Sequence, residues 1–250
     1  GNYQARFTNL LLQRPYNNLA VPGATTAFAL TTNVVGDPHQ SLFYLYGPPI
    51  LRVQNIPLSM ADQAALLDPT FVIVELGIND VLQGVANGAP DRMTPLDSFE
   101  ASYTEVLDRV SAPGVDGARP KMVLVNVPSP TAYPYMTTVP WFIVNPTTSE
   151  PVLNPATGAV IPLIGIVGGQ PAPLPAGSLV TIEAIPLMTQ GYGIPTSLGG
   201  NGQPLPDNVV LDNATELLQA RQRVTAMNAF IAQIAAQRGY AVFDINTLLQ

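Results

Sequence analysis

The 250-residue chain carries 10 basic and 17 acidic residues, a formal net charge of −7 drawn from a charged fraction of only 11%. The basic residues form no stripe of the kind that phosphate backbones attract, which argues against nucleic acid as a partner. Although 47% of the residues are hydrophobic, no apolar run approaches the roughly 20 residues that a spanning helix needs, and the absence of cysteine removes a disulfide framework, a thiol nucleophile and a thiolate metal site.

Tyr3 to Leu12 places Phe7, Leu10 and Leu11 at helical spacing, and Pro15 ends that pattern. Leu19-Ala20-Val21 then reads as a short strand, Pro22-Gly23 breaks it, and Ala24 to Leu30 is expected to start a helix with Thr25 or Thr26 near its first turn. Residues 31–58 show no period and read as an inserted loop. Ser59 is an expected N-cap for a helix holding Met60, Ala64 and Leu67, which Asp68-Pro69 ends.

Phe71-Val72-Ile73-Val74-Glu75-Leu76 is a nearly unbroken apolar run rich in β-branched residues, so it predicts a central strand covered on both faces. Thr94-Pro95 and Asp97 mark a helix start, and Phe99, Tyr103, Val106, Leu107 and Val110 fall on one face of it. Met122 to Val127 is a second buried-type strand. Asn213 is read as the cap of a long helix with Leu217, Val224, Met227, Ile231 and Ile234 on its core side, ended by Gly239 and followed by a strand over Tyr240 to Ile245. The order strand, helix, strand predicts an α/β fold with a doubly wound parallel sheet, organised as one domain over 1–250. Residues 128–206 hold 15 of the 26 prolines and are expected to form an ordered, inserted Pro-rich lobe, since Tyr133, Tyr135, Trp141, Phe142 and Leu179 to Ile182 can bury surface.

In open parallel sheets ligands bind beyond the carboxyl ends of the strands. Two such ends draw notice. After Val21, Gly23 can bring a backbone N–H close to a ligand because no Cβ intervenes; after Leu76, Gly77-Ile78-Asn79-Asp80 presents a side-chain amide in a glycine turn. A backbone N–H and an Asn amide at neighbouring strand ends are the parts of an oxyanion hole, which stabilises the negative oxygen of an acyl-transfer intermediate.

Asn18 to Thr26, with Gly23, and Gly77-Ile78-Asn79-Asp80 resemble the second and third blocks of the SGNH hydrolases, the GDSL esterases and lipases. The likeness extends to Val242-Phe243-Asp244-Ile245-Asn246 and to segments such as Thr137-Thr138-Val139-Pro140 and Gly193-Ile194-Pro195-Thr196. It implies a flavodoxin-like SGNH hydrolase fold, a small-molecule or lipid ester as substrate, no cofactor, no metal, and an exported protein in a bacterial subgroup. Gly23 and Asn79 are the catalytic residues it implies here, as oxyanion donors. The family's Gly-Asp-Ser block and its Asp-x-x-His block have no match. The chain opens at Gly1-Asn2 without a signal-like segment and stops at Leu248-Leu249-Gln250 just after a strand. Both ends are therefore expected to be cut, leaving the domain incomplete at each, with the nucleophile and the base in the intact parent.

The remaining residues have plainer readings. Gly36-Asp37-Pro38 has Pro where a nucleophile would stand, and no Gly-x-Ser-x-Gly elbow occurs. His39, the only histidine, is a loop residue after Pro38. Asp80 is expected to brace its turn and Asp244 to be structural, while Tyr133, Trp141 and Phe142 pack a core or line an acyl or leaving-group pocket. The rival class is a non-catalytic pseudo-enzyme of the same fold whose lobe holds a glycan or a protein. A flavodoxin-like cofactor domain would need a phosphate-cradling loop after its first strand, and none is visible.

Overall fold

A computed structural model describes residues 18–31 and 59–249. The expected helix at 3–12, the loop over 32–58 and His39 lie outside the described residues. The chain divides into two compact units, residues 1–72 with 101–122 and residues 73–100 with 123–250.

In the first unit Val21 to Ala24 form a turn closed by the Ala24 N–H on the Val21 carbonyl at 3.1 Å, with Gly23 at φ +83°. The strand expected at Leu19 to Val21 is not formed among the described residues: no ladder partner satisfies its backbone, and Asn18 Oδ1 instead accepts the Ala20 N–H. The helix expected from Ala24 shrinks to a 3-10 turn, Phe28–Leu30, where Thr25 Oγ1 accepts the Phe28 N–H. Val21 and Ala24 bury against Phe28 and Met60. Helix α1, Met60–Leu66, begins at Ser59 with a reciprocal capping box to Asp62. Arg109 reaches Asp62 Oδ1 at 3.1 Å and Glu105 Oε1 at 2.8 Å. Burial pushes the Asp62 carboxyl up, but the Ser59 hydroxyl and N–H together with Arg109 hold it below its ordinary value.

Strands β1 (Phe71–Glu75), β2 (Lys121–Val125) and β7 (Ala241–Phe243) form a three-stranded parallel sheet in the order β1-β2-β7, with Leu124 opposite Val242. The protein is therefore α/β. The central position expected for Phe71 to Leu76 is corrected: β1 is an edge strand of the described sheet, with Val74 buried and Phe71 and Ile73 55% and 64% exposed. An unbroken apolar run records the strand's affinity for burial, not how many neighbours it finds. Helix α2, Ile78–Val85, follows β1, and helix α3, Leu96–Val110, buries all five residues of its expected face.

Residues 128–206 are an ordered part of the second unit. Helix α4 (Pro134–Thr137) leads into chain that zigzags antiparallel through bridges at Phe142 with Pro162, Val144 with Pro151 and Leu153 with Val160. Hairpin β3–β4, Ile164–Val167 with Gln170–Pro173, turns on Gly168-Gly169, both at positive φ, as a two-residue hairpin turn demands. Strands β5 (Leu179–Val180) and β6 (Val210–Leu211) pair antiparallel, and helix α5 spans Ile185–Met188. Leu163, Val180, Leu205 and Val210 are fully buried at the centre of this lobe. Apolar pairing across short antiparallel segments thus replaces a linker.

Helix α6, Glu216–Arg238, buries Leu217, Val224, Met227, Ile231 and Ile234, and Gly239 at φ +70° ends it as expected. The cap expected at Asn213 is not formed: the N-cap is Thr215, without a side-chain cap, and the turn before it is held by the Asp212 carboxylate, which accepts the N–H groups of Ala214 and Thr215 at 2.8 Å each, while the Asn213 amide donates to the Ala176 carbonyl. Phe99 meets Phe230 edge to face at 6.2 Å, and the Arg223 guanidinium donates to the Thr94 carbonyl, so the start of α3 is held on α6. Helix α7, Ile245–Leu248, follows β7. Among the described residues no helix is long and apolar enough to cross a membrane.

Candidate functional site

The turn after β1 is built around Gly77. Its φ is +115°, a region that L side chains rarely enter, and a Cβ there would stand 2.6 Å from Val127 Cγ2 and 3.2 Å from Phe99 Cε2. Glycine is thus required twice, by the backbone and by the close approach of the β2 exit and α3. The sharp turn lets α2 start immediately, with Gly77 as N-cap, and places Asn79 as the second residue of the helix. Asn79 is half-buried and Asp80 fully buried. The Asp80 carbonyl accepts the Thr94 N–H at 2.9 Å, fixing the turn to the approach of α3. Asn79 therefore stands at the carboxyl end of a parallel strand, in the first turn of a helix whose positive dipole end favours developing negative charge.

Gly23 is exposed, at φ +83°, and a Cβ there would meet nothing within 4 Å. Its N–H is set in the Val21–Ala24 turn of the first unit, whereas Asn79 belongs to the second.

The ends of β2 and β7 are joined by a set of amides that the sequence reading did not single out. Asn126, 9% exposed, donates from Nδ2 to Asp244 Oδ1 at 2.7 Å and accepts the Asn246 N–H at 3.0 Å. Asn228, on α6, accepts the Val127 N–H and donates to the Val127 carbonyl, each at 2.8 Å. A strand's carbonyl and amide just past its last pairing need partners, and one Asn side chain satisfies both. The signal was present in Asn126 itself, since an amide inside an apolar strand is affordable only when hydrogen-bonded. Asn228 gave none, because its partner lies 101 residues away.

Asp244 caps α7, accepting the Thr247 hydroxyl at 2.6 Å and its N–H at 3.0 Å. The Thr247 hydroxyl, then its N–H and the Asn126 amide, hold the carboxyl below its ordinary value. Its oxygens are thus occupied by cap and amide contacts. Tyr133 donates its hydroxyl to the Pro128 carbonyl at 3.1 Å, and burial pushes that phenol upward. Trp141 and Phe142 pack edge to face at 5.4 Å, with Trp141 against the lobe core.

No known family, characterised protein or solved structure matches the chain.

Proposed function

We propose that the chain is the oxyanion-donor part of a serine ester hydrolase of the SGNH type, acting on a small-molecule or lipid ester and exported from its cell. The observation that carries this reading is Asn79: an amide at the carboxyl end of a parallel strand, in a helix's first turn, behind a glycine that no other residue can replace without strain and overlap. The resemblance assigns the second donor to the Gly23 N–H. In this mechanism a serine attacks the ester carbonyl, a histidine takes its proton and later hands it to the leaving alcohol, and the tetrahedral oxyanion accepts from Asn79 Nδ2 and the Gly23 N–H. The reading requires the parent to supply the serine and the histidine, so this chain as it stands turns over no ester. It fits the turn after β1 better than a cofactor domain does, since that turn offers a side-chain amide rather than a glycine-rich phosphate cradle.

Two experiments test it. The chain alone is expected to resist fluorophosphonate labelling; stoichiometric labelling of any of its serines refutes the block assignment. In a parent carrying Gly-Asp-Ser and Asp-x-x-His blocks, Asn79→Ala is expected to lower kcat by about 10²–10³ with little change in KM, the usual loss for one oxyanion donor. Full turnover in a well-folded Asn79→Ala enzyme, or a parent without those blocks, leaves the non-catalytic binding module as the better account.

A further inference from the structure

Beyond the exits of β2 and β7 the second unit has a cavity of about 540 Å³, within the ~300–1,000 Å³ typical of small-molecule sites. Ser129 and Thr131 line it from the loop after β2, and Asn246 and Leu249 from the segment after β7. Arg221, Val224 and Thr225 complete it from α6, at the i, i+3, i+4 spacing that puts them on one helical face. It thus lies where open parallel sheets bind ligands.

The hydrogen-bonding capacity of its wall defines what fits. The Arg221 guanidinium has five N–H donors; among the described residues it has no carboxylate partner and reaches only Asn213 Oδ1, at 3.4 Å. Ser129 Oγ and Thr131 Oγ1 share one hydrogen bond at 2.9 Å, which leaves one hydroxyl hydrogen to give outward. Those groups ask for an anionic acceptor. The Thr225 hydroxyl has already donated to the Arg221 carbonyl at 2.9 Å, so toward the cavity it can only accept. Asn246 lines the cavity, and its Oδ1 has no hydrogen-bond partner among the described residues. A bare anion such as acetate satisfies Arg221 and leaves both acceptors empty; a neutral sugar does the reverse. Val224, buried, and Leu249 supply an apolar strip for a carbon skeleton.

We propose that this cavity binds a hydroxylated carboxylate, of the sugar-acid class, with the carboxylate on Arg221, one hydroxyl donating to Thr225 and another to Asn246. The protein's own charge of −7 opposes any anion, so the affinity is on the order of millimolar. The inference does not depend on the ester-hydrolase reading: its assays measure binding only, and failure of either leaves the other standing.

The test is a titration of the 250-residue chain with D-glucuronate, followed by amide chemical shifts. The expected result is saturable one-to-one binding with shifts around Asn246 and Thr131. D-glucose and acetate should bind about tenfold or more weakly, and Arg221→Met and Asn246→Leu should each weaken D-glucuronate about tenfold to a hundredfold. Arg221 is exposed, so its replacement should leave thermal unfolding unchanged; for Asn246→Leu an unaltered spectrum outside the cavity shows that the fold is intact. Absence of saturation, equal binding of glucose or acetate, or unweakened binding by a folded Arg221→Met protein overturns the proposal.

Discussion

Replacing Gly77 by Ala adds one methyl group at a point where the structure leaves room for none. Forcing an L residue into positive φ costs about 1–2 kcal/mol, and squeezing a methyl to 2.6 Å from Val127 Cγ2 adds an overpacking cost of about 1–3 kcal/mol. Alanine also stiffens the unfolded chain, which offsets about 0.4–1 kcal/mol. The net expectation is a loss of about 1–4.5 kcal/mol. Gly23→Ala is the control: its φ is also positive, but the new methyl would meet nothing within 4 Å, so its loss should stay near or below about 1 kcal/mol. Urea unfolding followed by the fluorescence of Trp141, the only tryptophan, reports on the second unit, to which Gly77 belongs. Circular dichroism follows the chain as a whole, and a two-step curve would be fitted by step. Val127→Ala opens space beneath the new methyl, so the double variant should show a favourable coupling of about 1–2 kcal/mol. The reasoning fails if Gly77→Ala unfolds within about 0.5 kcal/mol of the wild type at an unchanged m-value.

Two further outcomes are expected. Burial first, and then the charges of Asp212 and Asp207, push Glu216 up to about 7 from an ordinary 4.5, although the Asp212 N–H it accepts at 2.9 Å opposes this. The folded protein therefore holds that proton more tightly than the unfolded chain, and stability should fall as pH rises from about 4.5 to about 7 and then level off. With about half the side chain open to solvent screening, the fall is about 1 kcal/mol; Glu216→Gln should remove it and be the more stable form at pH 8, and an identical pH profile for both would contradict the assignment. Asn228→Ala strips both hydrogen bonds from Val127 and should cost about 1–3 kcal/mol. Faster hydrogen exchange at the Val127 amide would locate that loss at the end of β2, and unchanged protection there would refute the clamp.

Local pattern alone determined the elements whose residues answer to near neighbours. The apolar faces of α3 and α6 follow the helical period, Ser59 caps α1 through Asp62 three residues on, and Gly239 stops α6 because glycine enters positive φ freely. The glycine at 77 and the amide at 79 were legible for the same reason: a turn leaving a strand into a helix writes its constraints in four consecutive residues. Tertiary structure alone decided the rest. Among the described residues, Leu19 to Val21 carries strand-forming residues yet pairs with nothing, and Phe71 to Glu75 is as apolar as a central strand yet lies at the edge of the sheet. The turn before α6 is held by the Asp212 carboxylate, while the Asn213 amide donates to the Ala176 carbonyl, 37 residues away. Asn228 reached the end of β2, and Asn126 the end of β7, across more than a hundred residues of chain. Hydrogen-bonding capacity is a property of each residue and can be read from its name; the partner that uses it is chosen by the packing of segments distant in sequence, where no local period records the choice.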